Sequence, residues 1–596
     1  MNLLNERELR FQLYEVLNTQ ALLSRPRYAE HDRAVFDATL QTARQIAMDH
    51  FAPCNHKGDE NEPRFDGERV HLIPETQQAW NAFADAGFLA AHHDYADGGL
   101  QLPEVLLRSC MAYFNAANIS TVAYSFLSIG AANLIKSFAS DELKARFLPA
   151  MLSGRFSGTM ALTEPGQGSA LGDLRTSARP AGDGTYRVFG QKMFISGGDH
   201  ELTENIVHMV LARIEGAPAG TRGISLFLVP KRLVQADGSC GERNDVALAG
   251  LLHKMGNRNT TSTVLSFGER DGALGYLVGE PGQGLACMFQ MMNEARIGIG
   301  LGAASLGYQS FVHALDYARE RPQGRLPGSK APSSPQVRIV EHADVRHMLL
   351  QQKAHAEGSL ALCLYASSLV EDAHTGDNQQ QRRDAAELLD LLTPVVKSYP
   401  SRYGVLASDL GIQILGGAGY TREYPLEQLY RDNRLNPIHE GTEGIQAIDL
   451  LGRKLGPRGG DGYRLLREAI RQCLGHAAAD CAPLAQQLER ALEQLERVTE
   501  RLQAQVAEDA TRGLANATRY LDLFGRVAVG WIWLRQALVA SAALEKGADG
   551  DEASFYQGKV HAARYFMAWE LAPVEGLARL LMAGDSLALD MQDAWY

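Results

Sequence analysis

Chemistry-bearing residues in this chain concentrate in a few short segments. Residues 160 to 169 read Met-Ala-Leu-Thr-Glu-Pro-Gly-Gln-Gly-Ser, residues 190 to 198 read Gly-Gln-Lys-Met-Phe-Ile-Ser-Gly-Gly, and residues 438 to 446 read Ile-His-Glu-Gly-Thr-Glu-Gly-Ile-Gln. The last places Glu440 in a short polar loop, where a carboxylate can serve as a general base if water is kept from it, because desolvation raises its proton affinity. In isolation such a glutamate reads as a solvated side chain, so its surroundings must decide. Other catalytic patterns are missing. Gly166 to Gly172 is one residue too long for the GxGxxG dinucleotide fingerprint and follows no βαβ unit, and the sequence has no GKS or GKT, no HExxH and no GxSxG.

Taken together, the segments form a pattern. Residues 160 to 169 resemble the TEPGxGS segment of the acyl-CoA dehydrogenase family, and residues 190 to 198 are similar to that family's GxKxWIT/FIS strand-turn. Residues 413 to 446 are the strongest match: Gln413-Ile-Leu-Gly-Gly-Ala-Gly-Tyr420, Glu423-Tyr-Pro, Arg431-Asp432 and the glutamate motif at Glu440. The order and spacing are the family's, over about residues 32 to 455. The extra N-terminal arm and the segment after Leu455 resemble those of a longer subgroup.

The resemblance implies a cofactor, FAD, and a role for each matching residue. Leu162 and Thr163 fall on the pyrimidine side of the flavin, and Phe194 and Ser196 on its face and edge near N5. Arg321 and Gln323 match positions that meet the pyrophosphate, where a planar guanidinium is well suited. Gln413, Gly416 and Gly417 match a segment that approaches the same FAD from a neighbouring subunit, so a homodimer or homotetramer is implied. Thr442 matches a further FAD contact, while Ser169, Asn293, Arg296, His439 and Gly441 match positions along the acyl-CoA site. Ordinary β-domain packing, a helix-surface salt bridge or a cap is the plainer reading of these same residues.

The implied chemistry explains the residue types. The α-proton of a thioester is weakly acidic, so its removal needs a carboxylate in a dry site, a stabilised enolate-like oxygen and a hydride acceptor at the β-carbon. Glu440 stands where the family places its base. Some relatives carry the base on the long glycine-rich helix instead; that position is Ala295 here, and Glu294 lies one residue off. There are departures too. His439 replaces the usual tyrosine before the base, Gly168-Ser169-Ala170 replaces GSD, and the aromatic of the ERxxFG pattern is missing from Arg321-Pro322-Gln323-Gly324-Arg325. An imidazole at 439 titrates near pH 6.5 when unperturbed, so an effect on the base is expected.

The elements that must position these residues follow from periodicity. The fold class expected is α+β and acyl-CoA dehydrogenase-like. After an arm (1–31) come an N-terminal helical domain (32–157), a middle β-barrel-like domain (158–279), a C-terminal four-helix-bundle domain with the base (280–455) and an additional helical domain (456–596). Apolar residues at three- and four-residue spacing mark the first region, and short β-rich runs such as Tyr186–Gly190, Ile206–Ala212, Gly223–Val229 and Ser262–Phe267 mark the second. From Leu285 to Glu320 a proline-free stretch is dense in glycine, which lowers helix propensity by up to about 1 kcal/mol per residue and implies close packing. A Pro/Ser/Gly-rich loop, Pro322 to Pro335, follows, and Gly456-Pro457-Arg458-Gly459-Gly460 reads as a linker. Beyond it, Leu484, Leu488, Leu492, Leu495, Val498 and Leu502 form a stripe expected to be intramolecular core.

Bulk properties narrow the function. At 596 residues several structural units are expected, and a net charge of -12 speaks against nucleic-acid binding. Seven cysteines without a CxxC pair suggest reduced thiols and no zinc site. Glu6, Glu8 and Arg10 interrupt any signal-like apolar stretch, and Val527 to Leu544 reads as a buried helix rather than a transmembrane span. A cytoplasmic location is expected, with peripheral membrane attachment left open. The leading reading is acyl-CoA dehydrogenation with electrons passed to electron-transfer flavoprotein. An acyl-CoA oxidase using oxygen and a catalytically silent flavin-binding homologue are the alternatives.

Overall fold

The computed structural model describes residues 3–328, 333–456 and 460–596, without the side chains of residues 290 and 291. Part of the expected linker at 456–460, and part of the loop at 322–335, therefore lies outside the described residues. The chain divides into two compact units, Arg33–Gly298 and Ile299–Tyr596, the second including the arm before Arg33.

In the first unit the longest helix before the sheet is α1, Glu104–Phe138. An eight-stranded sheet follows, formed by β1 (Phe156–Ala161), β2 (Ser177–Pro180), β3 (Tyr186–Ser196), β4 (Asn205–Ile214), β5 (Ile224–Pro230), β6 (Val246–Leu251), β7 (Ser262–Phe267) and β8 (Ala273–Val278). Their order is β6-β7-β3-β8-β5-β4-β1, with β2 bridging β3 and β4. β1 and β2 run parallel to β4, and the remaining pairs are antiparallel.

Both faces of β4 and β5 are buried over most of their length, which is why these strands read as apolar runs without alternation. The period-2 geometry still sorts their side chains. Val207, Met209 and Leu211 join Leu134, Ile135 and Phe147 of the helices in one core. Val210 and Ala212 join Phe227, Val229, Val188 and Leu265 in another core made by the strands themselves. His208 points the same way, bonds the Thr159 hydroxyl at 2.8 Å and is pushed down to about 3 by burial and then by Lys231, so it is neutral.

Helix α2, Gly284–Glu320, begins in the first unit and ends in the second. In the second unit it is followed by α3 (Ala343–Thr375), α4 (Gln379–Leu415), α5 (Leu426–Asn433) and α6 (Glu443–Ile448). The close packing expected of the glycine-rich helix is present. A Cβ on Gly300 would lie 2.0 Å from the Val396 carbonyl oxygen of α4, and one on Gly307 would lie 3.1 Å from Gly404 Cα. Pro400 explains what Val396 offers there, since proline has no N–H to bond the carbonyl four residues earlier.

The chain beyond the linker forms α7 (Gly460–Gly475), α8 (Ala482–Glu508), α9 (Ala517–Glu545) and α10 (Gly550–Tyr565). All six residues of the expected stripe are buried along α8, from Leu484 to Leu502. α9 is also buried over most of its length, and Trp533 donates to the Ala354 carbonyl of α3 at 2.9 Å. By length and composition α1 and α9 are apolar enough to cross a membrane, but most of each such stretch is packed inside the protein. The N-terminal arm is held in this unit by a buried triad, in which Lys559 meets both Glu8 and Glu357.

Candidate functional site

The expected site residues fall into groups, and each is described within its own unit. In the first unit the structure brings the segment at Leu162–Thr163 onto the end of β3. The Met193 amide donates to the Thr163 carbonyl at 2.9 Å, and Lys192 Nζ donates to the Leu162 carbonyl at 2.9 Å. Pairing between β3 and β7 slips here, because Ile195 faces Thr263 whereas Lys192 faces Leu265. One extra residue is thus inserted on β3, a bulge that redirects the chain. Phe194 lies in it at φ +59°, in the left-handed region that a bulky side chain seldom adopts, and its ring is 62% exposed. Ser196, two residues on, is paired with Ser262.

Beneath this corner lies a pair that the motifs contain but for which they imply no role. Lys192 Nζ meets Glu164 Oε1 at 3.1 Å, with both side chains buried. Burial pulls the Lys192 ammonium down to about 8, against the pull of Glu164. Burial pushes the Glu164 carboxyl up, yet Lys192, the Thr176 hydroxyl and the amides of Arg175 and Thr176 outweigh it and hold it below the usual range. The signal was available: Glu164 and Lys192 are the E of TEPG and the K of GQK. Ser169, in contrast, lies exposed just after the Glu164–Gln167 turn.

On α2, Arg296 is buried and Asn293 half-buried, so Arg296 is no helix-surface residue. Glu294 belongs to a polar group of this unit. Asn133 Nδ2 donates to Glu294 Oε2 at 2.9 Å, and the His92 ring meets Asn133 Oδ1 at 2.9 Å. Burial, then the nearby Glu104, raise the Glu294 pKa. Glu294, His92 and Glu104, with Ala295, Arg108 and Phe126, line a cavity of about 20 Å³, room for about one water.

In the second unit, Glu440 stands in the loop between α5 and α6, half-buried, with φ +52°. Side chains hold the two carbonyls that follow its Cα, its own and that of Gly441. Gln446 Nε2 donates to the Glu440 carbonyl at 3.0 Å, and Lys397 Nζ of α4 donates to the Gly441 carbonyl at 2.7 Å. Gly441 has φ +88°, which favours glycine, and a Cβ there would come within 2.5 Å of Gln446 Nε2 and displace the amide that holds the Glu440 carbonyl. Thr442 caps α6 by accepting from the Ile445 amide. His439 is held by Asn436 Oδ1 at 3.2 Å, and burial, followed by Lys397, pushes it down to about 3. The imidazole beside Glu440 is thus held well below its unperturbed value and is uncharged at physiological pH. Sequence reasoning missed Lys397, because a lone lysine between two prolines of a helix reads as a solvent-facing residue.

The remaining residues are displayed at the surface of this unit. Arg321 and Gln323 are exposed where the chain leaves α2, in a short bridge that includes Gln323 N–H to the Val337 carbonyl at 2.9 Å. Gln413, Gly416 and Gly417 are exposed at the end of α4.

Comparison with known proteins adds four family matches along the chain. These are Acyl-CoA dehydrogenase, N-terminal domain, at residues 36–155, middle domain at 159–269, C-terminal domain at 282–455, and Acetyl-CoA dehydrogenase C-terminal like at 466–592. The chain is 37% identical to 3-methylmercaptopropionyl-CoA dehydrogenase of Ruegeria pomeroyi over 564 residues, 94% of each chain. It is 34% identical to a butyryl-CoA dehydrogenase of Syntrophomonas wolfei over 98% of each. In fold it is similar to an acyl-CoA dehydrogenase of Bacillus anthracis solved with FAD, with a TM-score of 0.75 at 19% identity, covering 95% of this chain and 90% of that one.

Proposed function

The chain belongs to the acyl-CoA dehydrogenase family, and on that premise we propose that it dehydrogenates an acyl-CoA thioester to the trans-2-enoyl-CoA, as in fatty-acid β-oxidation, with Glu440 as base. The observation that carries this reading is the mounting of Glu440. A non-glycine residue in the left-handed region carries a conformational cost of about 1 to 3 kcal/mol and persists only where its surroundings impose it. Here Gln446 and Lys397 impose it through the carbonyls of Glu440 itself and of Gly441.

Glu440 Oε takes the α-proton of the thioester, and the β-hydrogen leaves as hydride. Neutral His439 lets the loop carry the negative carboxylate without a competing cation next to it in sequence. The residues present fit FAD, which when bound supplies the hydride acceptor. Phe194 presents an exposed ring from a bulge, a fitting face for a planar ring system, with the Thr163 and Ser196 hydroxyls nearby in the same corner. Arg321 offers an exposed guanidinium for the pyrophosphate. Electron-transfer flavoprotein is the proposed electron acceptor. Exposed Gln413, Gly416 and Gly417 support an oligomer in which they meet a second copy.

Relatives named for butyryl-CoA and 3-methylmercaptopropionyl-CoA make short acyl thioesters the first to try. Anaerobic titration with acyl-CoAs of graded length should bleach the flavin of the wild type. Glu440→Gln should retain FAD and bind acyl-CoA but lose flavin reduction by up to about ten-thousandfold. Bleaching at the wild-type rate would move the base elsewhere, with Glu294 next to replace. Admitting air afterwards checks the acceptor, since rapid reoxidation with peroxide release would identify an oxidase.

A further inference from the structure

The segment after the bundle has no assigned task, yet one of its helices reaches the mount of Glu440. Along α4, two side chains face the base loop or its continuation, and a third faces α9. Lys397 donates to the Gly441 carbonyl, and Arg402 Nη1 pairs with Glu443 Oε1, at the start of α6, at 3.1 Å. Adjacent Tyr403 donates its hydroxyl to Asp522 Oδ1 of α9 at 2.6 Å, and Arg402 Nη1 lies 3.9 Å from Asp522 Oδ2.

Asp522 is itself fixed. Arg526 Nε donates to it at 3.2 Å, and Arg526 also lies 3.6 Å from Glu570 Oε2. Glu570 accepts from Gln351 at 2.9 Å and meets the buried His355 ring at 3.0 Å. That ring stacks on Tyr403, with centroids 4.1 Å apart, and its other nitrogen meets the Tyr399 hydroxyl at 2.9 Å. Asp522, Arg526, Glu570 and His355 are all buried.

The need for such a brace lies in α4. Pro394 and Pro400 each remove an intrahelical hydrogen bond, so the turns between them, which hold Lys397, lean on tertiary contacts for their register. We propose that Asp522 is a positioning residue for Glu440: it fixes Arg402 and Tyr403, and through them the stretch of α4 that holds the Gly441 carbonyl and Glu443. The segment after the bundle then serves the reaction. This inference rests on the reading of Glu440 as the base.

Asp522→Asn keeps the shape and an acceptor for Tyr403 but removes the charge facing Arg402 and Arg526. The expected result, in anaerobic stopped-flow with saturating acyl-CoA, is a fall in flavin reduction of about tenfold, as for a small misplacement of a reacting group. FAD content and the half-saturating acyl-CoA concentration should move by less than about twofold, the pattern of an interaction felt in the transition state. Exchange of the substrate α-hydrogen with deuterated solvent should fall in parallel, since it reports the base alone. Glu443→Gln, at a half-buried position, should give a similar fall, and the double variant should be no slower than the slower single one. Unchanged reduction and exchange rates in either single variant, or multiplied losses in the double one, would overturn the proposal. Should Asp522→Asn fail to fold, Glu443→Gln decides. Wild type and Glu440→Gln are run together. A wild type that no acyl-CoA bleaches refutes the function itself, whereas an active wild type, a silent Glu440→Gln and a fully active Asp522→Asn refute only the positioning.

Discussion

The corner at Phe194 and the loop at Glu440 solve the same local problem by different means. Each holds a non-glycine residue at positive φ, where the backbone is costly to keep. At Phe194 the sheet does most of the holding. The bulge lies between paired residues of β3 and β7, and the Leu162–Thr163 segment is tied to it by the Met193 amide and by Lys192 above a buried ion pair. At Glu440 no ladder is present, and its own carbonyl and that of Gly441 are gripped by two side chains. A corner held by a ladder should respond to damage as part of the fold, and a loop held by side chains should respond as a site.

The comparison breaks first at Lys192. Lys192→Met leaves Glu164 buried without its cation, and loss of one partner of a buried pair costs about 3 to 5 kcal/mol. A large fall in denaturation midpoint and poor FAD retention are expected. Retention of wild-type stability would show that the corner stands on its ladder alone.

Lys397→Met is the sharper contrast. It leaves the Gly441 carbonyl without its ammonium donor, a loss of about 1 to 3 kcal/mol. The expected signature is a flavin-reduction rate reduced more than stability is, by about tenfold or more. Equal losses in both would mean that the loop, too, behaves simply as fold.

The smallest effect concerns His439. Its folded value of about 3 lies below the unfolded value of about 6.5, so between these the unfolded chain binds the extra proton. Stability from this residue is complete above about pH 6.5 and is lost as pH falls toward 3. His439→Asn should therefore flatten the acid side of the stability curve while leaving the pH dependence of flavin reduction near neutrality unchanged. A shifted neutral profile would restore a charged imidazole beside the base.

How far the molecule was legible from its residues differs in the same way between the two regions. Helix α8 could be read from its leucine spacing, and β7 from its run of residues, because each has a regular period or clear punctuation. Phe156–Ala161 carries no alternation, since both its faces are buried, and its Ser and Thr resemble loop residues. Within the site, Glu440 and Phe194 could be named from motifs, but their supports could not. Lys397 is separated from Gly441 by 44 positions, and Asp522 from Tyr403 by 119, and neither pairing has any local signature. Such contacts are set by how helices meet, which spacing along one chain does not encode.

The mounting of Glu440 has a consequence for how the enzyme answers to acid. The ties from Lys397 and Gln446 end on peptide oxygens, and peptide oxygens do not titrate in the working range of a protein. The seat is proton-silent: acidifying the solution changes the charge on the carboxyl without loosening those oxygens as acceptors. Two anchors of the loop thus stay fixed while the ionisable groups around it titrate, a steady frame against which those protons are counted.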